Sequence, residues 1–221
     1  MVRTVIELGR RDLLVVAGLP GAGKTTMLRR AAGPVRVLDS DQVRQRLDAI
    51  VPAAVPYRLY RPVVHLCHRA RIVLSAALRR GPLVVHEPAT RSSTRRWLTA
   101  VAAGTRRPAR LLWLDATAEQ ALAGQHSRAR VVRSRSFARH VARARAVRED
   151  LRAGRVPPGF DSAQVITRSA ARHAVLALRS GAGAPTRRSG PRSPRPAART
   201  DRPRTAAATR TGRPAARGTG G

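Results

Sequence analysis

The chain has 221 residues, room for one α/β domain of ordinary size with an appendage. Hydrophobic residues make up 43% but aromatics only 3%, so any core is built from Ala, Val, Leu and Ile, and no apolar run approaches the roughly 18 residues that a membrane helix needs. The single Cys67 excludes a disulfide framework and fits a reducing, cytoplasmic setting, while a formal charge of +32 predicts attraction to polyanions.

Short apolar runs alternate with helical patterns along residues 1–180, which predicts a mainly parallel sheet covered by helices on both faces. The expected strands are 13–17, 35–38, 83–85, 111–114 and 164–166. Between them Val43, Leu47 and Ile50 mark one helix face. Val63, Cys67, Ala70, Leu74, Ala77 and Leu78 mark a longer one, expected to be its buried stripe. Thr117 and Gln120 have capping-box spacing, and Phe137, Val141, Ala144 and Leu151 line a last helix that stops at Gly154. Trp97 is expected in the core, and His65 and His68 are read as ordinary helix residues. From 181 onward no apolar side chain exceeds Ala, and Pro and Gly recur. That composition predicts a disordered tail over 181–221, holding ten Arg and one Asp. Its charge is suited to nonspecific, salt-dependent nucleic-acid binding.

The decisive stretch is Gly18-Leu19-Pro20-Gly21-Ala22-Gly23-Lys24-Thr25-Thr26, between a predicted strand and a predicted helix. It fits G-x-x-x-x-G-K-[ST], in which glycines let backbone N–H groups wrap an anion and the following helix aims its positive pole at phosphates. Lys24 would bridge the β and γ phosphates of ATP, and Thr25 would face the accompanying Mg2+. Of 44 basic residues, Lys24 is the one lysine. A compact ammonium is what that slot demands.

With Asp39-Ser40-Asp41-Gln42-Val43-Arg44 after the second strand, the chain resembles small P-loop kinases of the polynucleotide-kinase, zeta-toxin, chloramphenicol-phosphotransferase and gluconate-kinase type. The resemblance runs in outline over 12–168. It implies a three-layer αβα P-loop NTPase sandwich with strand order 2-3-1-4-5, and an ATP-dependent transfer to an unidentified hydroxyl-bearing acceptor. By that resemblance Asp41 is the acceptor's base and Arg44 a substrate holder. The residues themselves also admit Asp39 in that role, or capping by Asp39 or Ser40 with Asp41 favouring the helix pole.

After the third strand the relatives place an aspartate beside the magnesium water shell. Here His86 and Glu87 stand instead, with Glu87 the candidate metal partner and Arg91 a candidate for an acceptor phosphate. Asp115, after the fourth strand, is read as a helix-start residue rather than a metal ligand. An arginine-bearing lid over 127–137 supplies Arg128 and Arg133 as candidates for contact with phosphate. The alternative function is an ATP-binding or ATPase module without transfer, associated with nucleic acid through its tail.

Overall fold

The computed structural model describes residues 3–127 and 133–179. The expectation of a disordered tail over 181–221, and the candidate Arg128, lie outside them. Seven strands and seven helices follow one another among the described residues, all inside the compact unit Met1–Gly181.

Five strands make the main sheet: β2 (Leu13–Ala17), β3 (Arg36–Asp39), β4 (Leu83–His86), β5 (Ala109–Asp115) and β6 (Ser162–Thr167). Their spatial order is β3-β4-β2-β5-β6 and every pairing is parallel. Counted along the main sheet, this is the expected order 2-3-1-4-5. The central strand LLVVA is buried at every position, the mark of a parallel strand covered on both faces. Leu13, Val15, Val16, Leu38, Val84, Val85 and Trp113 form the centre of the core. A smaller parallel sheet, absent from the sequence reading, pairs β1 (Thr4–Leu8) with β7 (Ala174–Leu178).

The helices are α1 (Lys24–Ala31), α2 (Ser40–Asp48), α3 (Tyr57–Leu78), α4 (Ser92–Gly104), α5 (Ala118–His126), α6 (Ser134–Arg152) and the single turn α7 (Arg168–Ala171). None is long and apolar enough to cross a membrane. In α6 Ala144 and Val147 are buried, with Phe137, Val141 and Leu151 packed beside them, as the pattern predicts.

On α3 the structure corrects the expected face. Val64, His68, Ile72, Ser75 and Ala76 point inward, whereas Val63, Ala70, Leu74, Ala77 and Leu78 are exposed and Cys67 is half-buried. Apolar side chains occupy nearly the whole circumference of this helix, so periodicity alone does not select which side meets the sheet. The buried side also carries His68 to the strand ends. The C-terminal end of α3 is tied down by buried Arg107, whose guanidinium donates to Ala76 O (2.8 Å), Gly81 O (2.9 Å), Arg11 O (3.2 Å) and Arg79 O. Burial holds that guanidinium below its ordinary pKa, with Arg11 nearby adding to the effect.

Asp115 is a second correction. It ends β5 and pairs with Arg148 on α6, Nε to Oδ1 at 2.6 Å and a guanidinium nitrogen to Oδ2 at 3.2 Å. The cap of α5 is instead Thr117, through the box with Gln120. A carboxylate at the end of an inner strand is within reach of the arginine-rich helix crossing above it, and two charged groups pair there more strongly than one would cap a neighbouring turn.

Candidate functional site at the carboxyl edge of the sheet

The loop between β2 and α1 is shaped by glycines at positive φ: Gly18 (137°), Gly21 (90°) and Gly23 (107°). At Gly21 a Cβ would lie 2.0 Å from the Ala121 carbonyl oxygen, so both the torsion and the close approach of α5 require glycine there. Gln125 of α5 donates to Pro20 O at 3.0 Å, and Gly18 N–H donates to Pro88 O at 3.1 Å, fastening the loop on two sides.

Gly23 occupies the N-cap of α1, where no side chain accepts the first helical N–H groups and no acid sits in the first turn. Such an end is a receptor for an anion. Lys24, 4% exposed, folds back over the loop and donates to Gly18 O (3.0 Å) and Leu19 O (2.9 Å). Thr25 is half-buried on the same turn and Thr26 is exposed.

Asp39 ends β3 in register with His86 of β4, which is in register with Val16 of β2. Neighbouring strands lie about 4.8 Å apart, so these groups stand one and two strands from the loop. Asp39 caps α2: its Oδ1 accepts from Asp41 N–H (2.9 Å), and Gln42 Oε1 accepts from Asp39 N–H (3.5 Å). Of the two candidate caps, then, Asp39 is used and Ser40 is the first helical residue. The other Asp39 oxygen accepts from His86 Nδ1 at 2.6 Å. Burial pushes this carboxyl up, but the His86 hydrogen bond and charge, the Asp41 N–H and the nearby His68 outweigh it and hold it below its ordinary 3.8.

The lowered value has a testable sign. Asp39's contribution to stability is complete above pH 3.8 and is lost as pH falls through the lowered folded value. Asp39→Ala is expected to cost roughly 1–2 kcal/mol at pH 7 for the lost cap and pair, in denaturant titrations. The difference from the parent protein shrinks below pH 3.8.

Asp41 lies half-buried on the first turn of α2. Arg44, one turn on, pairs with Asp48 (3.4 Å) and stacks on Tyr57 at 4.3 Å from the ring centre. Glu87 follows β4, its N–H donating to Val16 O at 3.3 Å, and its Oε1 lies 3.3 Å from Nε2 of His68, which is 1% exposed. His68 is therefore a buried neighbour of the candidate metal carboxylate rather than an ordinary helix residue. Its signal in the sequence is only that it stands one turn from His65. Among the described residues no group of three or more His, Cys, Asp or Glu is arranged to hold a metal ion. The hard oxygens of Thr25 and Glu87 fit Mg2+, an ion that keeps most of its water and takes few protein ligands.

Two further features were not legible as site residues. A cleft of about 380 Å³ beside the loop is lined by Gly23, Met27, Arg30, Ser127, Arg168 and Arg172, among others. On the other side Thr90 Oγ1 lies 2.8 Å from His140 Nδ1 of α6. Burial lowers the His140 pKa, and the surrounding charges of Arg143, Arg91, Lys24 and Arg139 lower it further. Arg91 therefore belongs to a cationic group that includes the loop lysine. Arg133 is exposed immediately before α6. Arg168 and Arg172 do have a signal, a pair four apart after the last main-sheet strand, but it is diluted among forty-three arginines.

Residues 13–153 match the family described as AAA domain. No curated protein matches the sequence. Among solved structures, one from the PezAT chromosomal toxin–antitoxin system of Streptococcus pneumoniae aligns at TM-score 0.51 and 13% identity, covering 72% of this chain and 68% of that one. A tunicamycin resistance protein from Deinococcus radiodurans aligns at TM-score 0.47 and 15% identity (74% and 92% covered), and a gluconokinase from Sinorhizobium meliloti 1021 at 0.42 and 16% (73% and 85%). The likeness to the first is one of fold. Since the family match spans well over half the sequence and includes the loop, both strands beside it and α6, the chain belongs to the AAA-domain family and has a P-loop NTPase fold.

Proposed function

We propose that this protein is an ATP-dependent phosphotransferase that moves the γ-phosphoryl group to a hydroxyl of a small molecule or of a nucleic-acid end. The observation that carries the reading is the uncapped start of α1, reached through three left-handed glycines and overlaid by buried Lys24. In this reading the loop Gly18–Thr26 cradles the β and γ phosphates, with the backbone N–H groups of Gly23, Lys24, Thr25 and Thr26 and the helix pole directed at them. Lys24 exchanges its two carbonyl partners for phosphate oxygens. The cleft beside Arg168 and Arg172 takes the nucleoside.

Thr25 and Glu87 would hold a Mg2+ ion with its water shell, His68 keeping the Glu87 carboxylate in place, and the ion's charge would offset that of the phosphates. Asp41 accepts the proton of the acceptor hydroxyl, which leaves the oxygen free to attack phosphorus in line with the departing ADP. Arg44 leaves its half-buried pair with Asp48 to hold the acceptor. Arg128 and Arg133 close on the charge that spreads over the transferring group. Residues 1–180 carry this chemistry, and the tail 181–221 adds nonspecific affinity for nucleic acid.

The reading is tested by steady ADP release from the full chain with Mg-ATP while sugars, nucleosides, antibiotics, nucleotide sugars and 5′-hydroxyl oligonucleotides are offered in turn. One class is expected to raise the rate at least tenfold, a modest fraction of what positioning alone supplies. A rate indifferent to every class favours an ATPase or binding module. Nucleotide binding also has a proton signature. A triphosphate offsets the cations around His140, so its lowered pKa rises on binding and a proton is taken up. Affinity for the triphosphate is therefore expected to strengthen as pH falls. Calorimetry in two buffers of different ionisation enthalpy reads the uptake, which His140→Asn removes.

A further inference from the structure

The outward half of α3 is apolar along its whole length. Leu59, Val63, Leu66, Ala70, Val73 and Ala77 recur at alternating spacings of four and three, and Leu74 and Leu78 widen the band. Leu59, Leu66, Leu74 and Leu78 are 65%, 70%, 58% and 78% exposed. The inward half already packs on α2, α4, β3 and β4, so the outward half is a second face that the fold does not use. A contiguous apolar surface of this length on a folded domain marks a binding surface.

The spacing and the charges select what covers it. A repeat of 3.5 residues over three turns or more is the seam of a two-helix coiled coil, and Ala70 and Ala77 let a second helix approach closely. A bilayer surface imposes no such repeat and favours aromatic anchors, of which the band has none. Residues 180–221 offer no apolar side chain larger than Ala to fill it. A second copy brings like charges together: α3 contains Arg58, Arg61, Arg69 and Arg71 and no acid, within a chain of net charge +32. In a helical projection Arg58 and Arg69 border one side of the band and Arg71 the other.

We propose that the outward face of α3 is the docking surface for an amphipathic helix of a separate, acidic protein, whose apolar positions interlock with Leu59, Val63, Leu66, Ala70 and Val73 and whose carboxylates meet Arg58 and Arg69. It is independent of the phosphotransferase reading, since none of these residues belongs to the nucleotide site.

The full chain is titrated into a fluorescein-labelled synthetic helix of four heptads with Leu at a and d and Glu at e and g, and into a twin with Lys at e and g, with anisotropy as the readout. The acidic helix is expected to bind at least about tenfold more tightly than the basic twin, and Leu66→Glu/Leu74→Glu to weaken it by a further factor of about ten or more. Both substituted positions are exposed, so the thermal melt of the variant stays that of the parent. Arg58→Glu keeps the apolar band and is expected to narrow the preference for the acidic twin. Equal binding of the twins, absence of binding, or binding unchanged by Leu66→Glu/Leu74→Glu overturns the proposal. So does a dimer of the free chain in sedimentation velocity that this double variant dissolves, or cosedimentation with phosphatidylglycerol vesicles that it abolishes, which assign the face to a second copy or to lipid.

Discussion

Replacing Lys24 by Ala or Met is expected to lower phosphoryl-transfer turnover by about 10²–10³-fold, the size of effect seen when one preorganised charge donor is removed from a transition state. ATP affinity falls with it. The fold is not expected to suffer. The Lys24 ammonium is buried, and Gly18 O and Leu19 O, which accept from it, lie in a loop already fastened by Gln125 and Pro88. Lys24→Met retains the packing of the stem and removes a desolvated charge, so its melting temperature should equal or exceed that of the parent. Lys24→Arg is expected to fail as well, because a planar guanidinium does not fit a slot shaped for a compact ammonium. Parallel melting curves and turnover numbers separate this account from one in which Lys24 is a structural residue, where stability and turnover fall together.

The second large effect is expected at Asp41. Asp41→Asn should lower transfer by about 10²–10⁴-fold, the range for loss of a positioned base, while ATP affinity stays within about twofold. Stability should change by less than about 1 kcal/mol, since asparagine keeps the shape and hydrogen-bonding capacity of the side chain and the substitution removes a favourable charge at the start of α2. The neighbouring acid provides the contrast. Asp39 is committed on both oxygens, to the Asp41 N–H and to His86, so Asp39→Asn should act mainly on stability. The reverse pattern, with Asp41→Asn silent and Asp39→Asn inactive at unchanged stability, would move the base to the Asp39–His86 pair.

What the sequence reveals and what it hides divide along physical lines. The phosphate loop is legible because its requirements are local: glycines where φ is positive, one lysine in a chain of arginines, a strand before and a helix after. The inner strands β2, β4 and β5 are legible because a strand buried on both faces must be largely apolar, whereas the edge strands β3 and β6 are partly exposed and offer only short apolar stretches. The Thr117–Gln120 box is legible for the same local reason. The cap of α2 is harder, because Asp39 and Ser40 are adjacent and both good caps, and the choice falls to the acid that also meets His86, 47 residues away. Pairings of that kind, like His68 with Glu87 and Asp115 with Arg148, depend on which strands and helices the fold brings together. The orientation of α3 is hidden by its apolar excess, and β1 with β7 by the distance between two short segments whose pairing no local signal announces. Individual arginines carry little information in this chain, which is why Arg168 and Arg172 emerge only with the cleft.

If the loop presents a triphosphate for transfer to a hydroxyl, the γ-phosphoryl group ends on the acceptor. The full chain is incubated with Mg2+, γ-labelled ATP and each acceptor class, beside Lys24→Ala and Asp41→Asn. Label is expected in an organic phosphate ester with one class, and is lost in both variants. Label recovered only as inorganic phosphate with every class, at a rate that Asp41→Asn leaves unchanged, contradicts transfer to a hydroxyl.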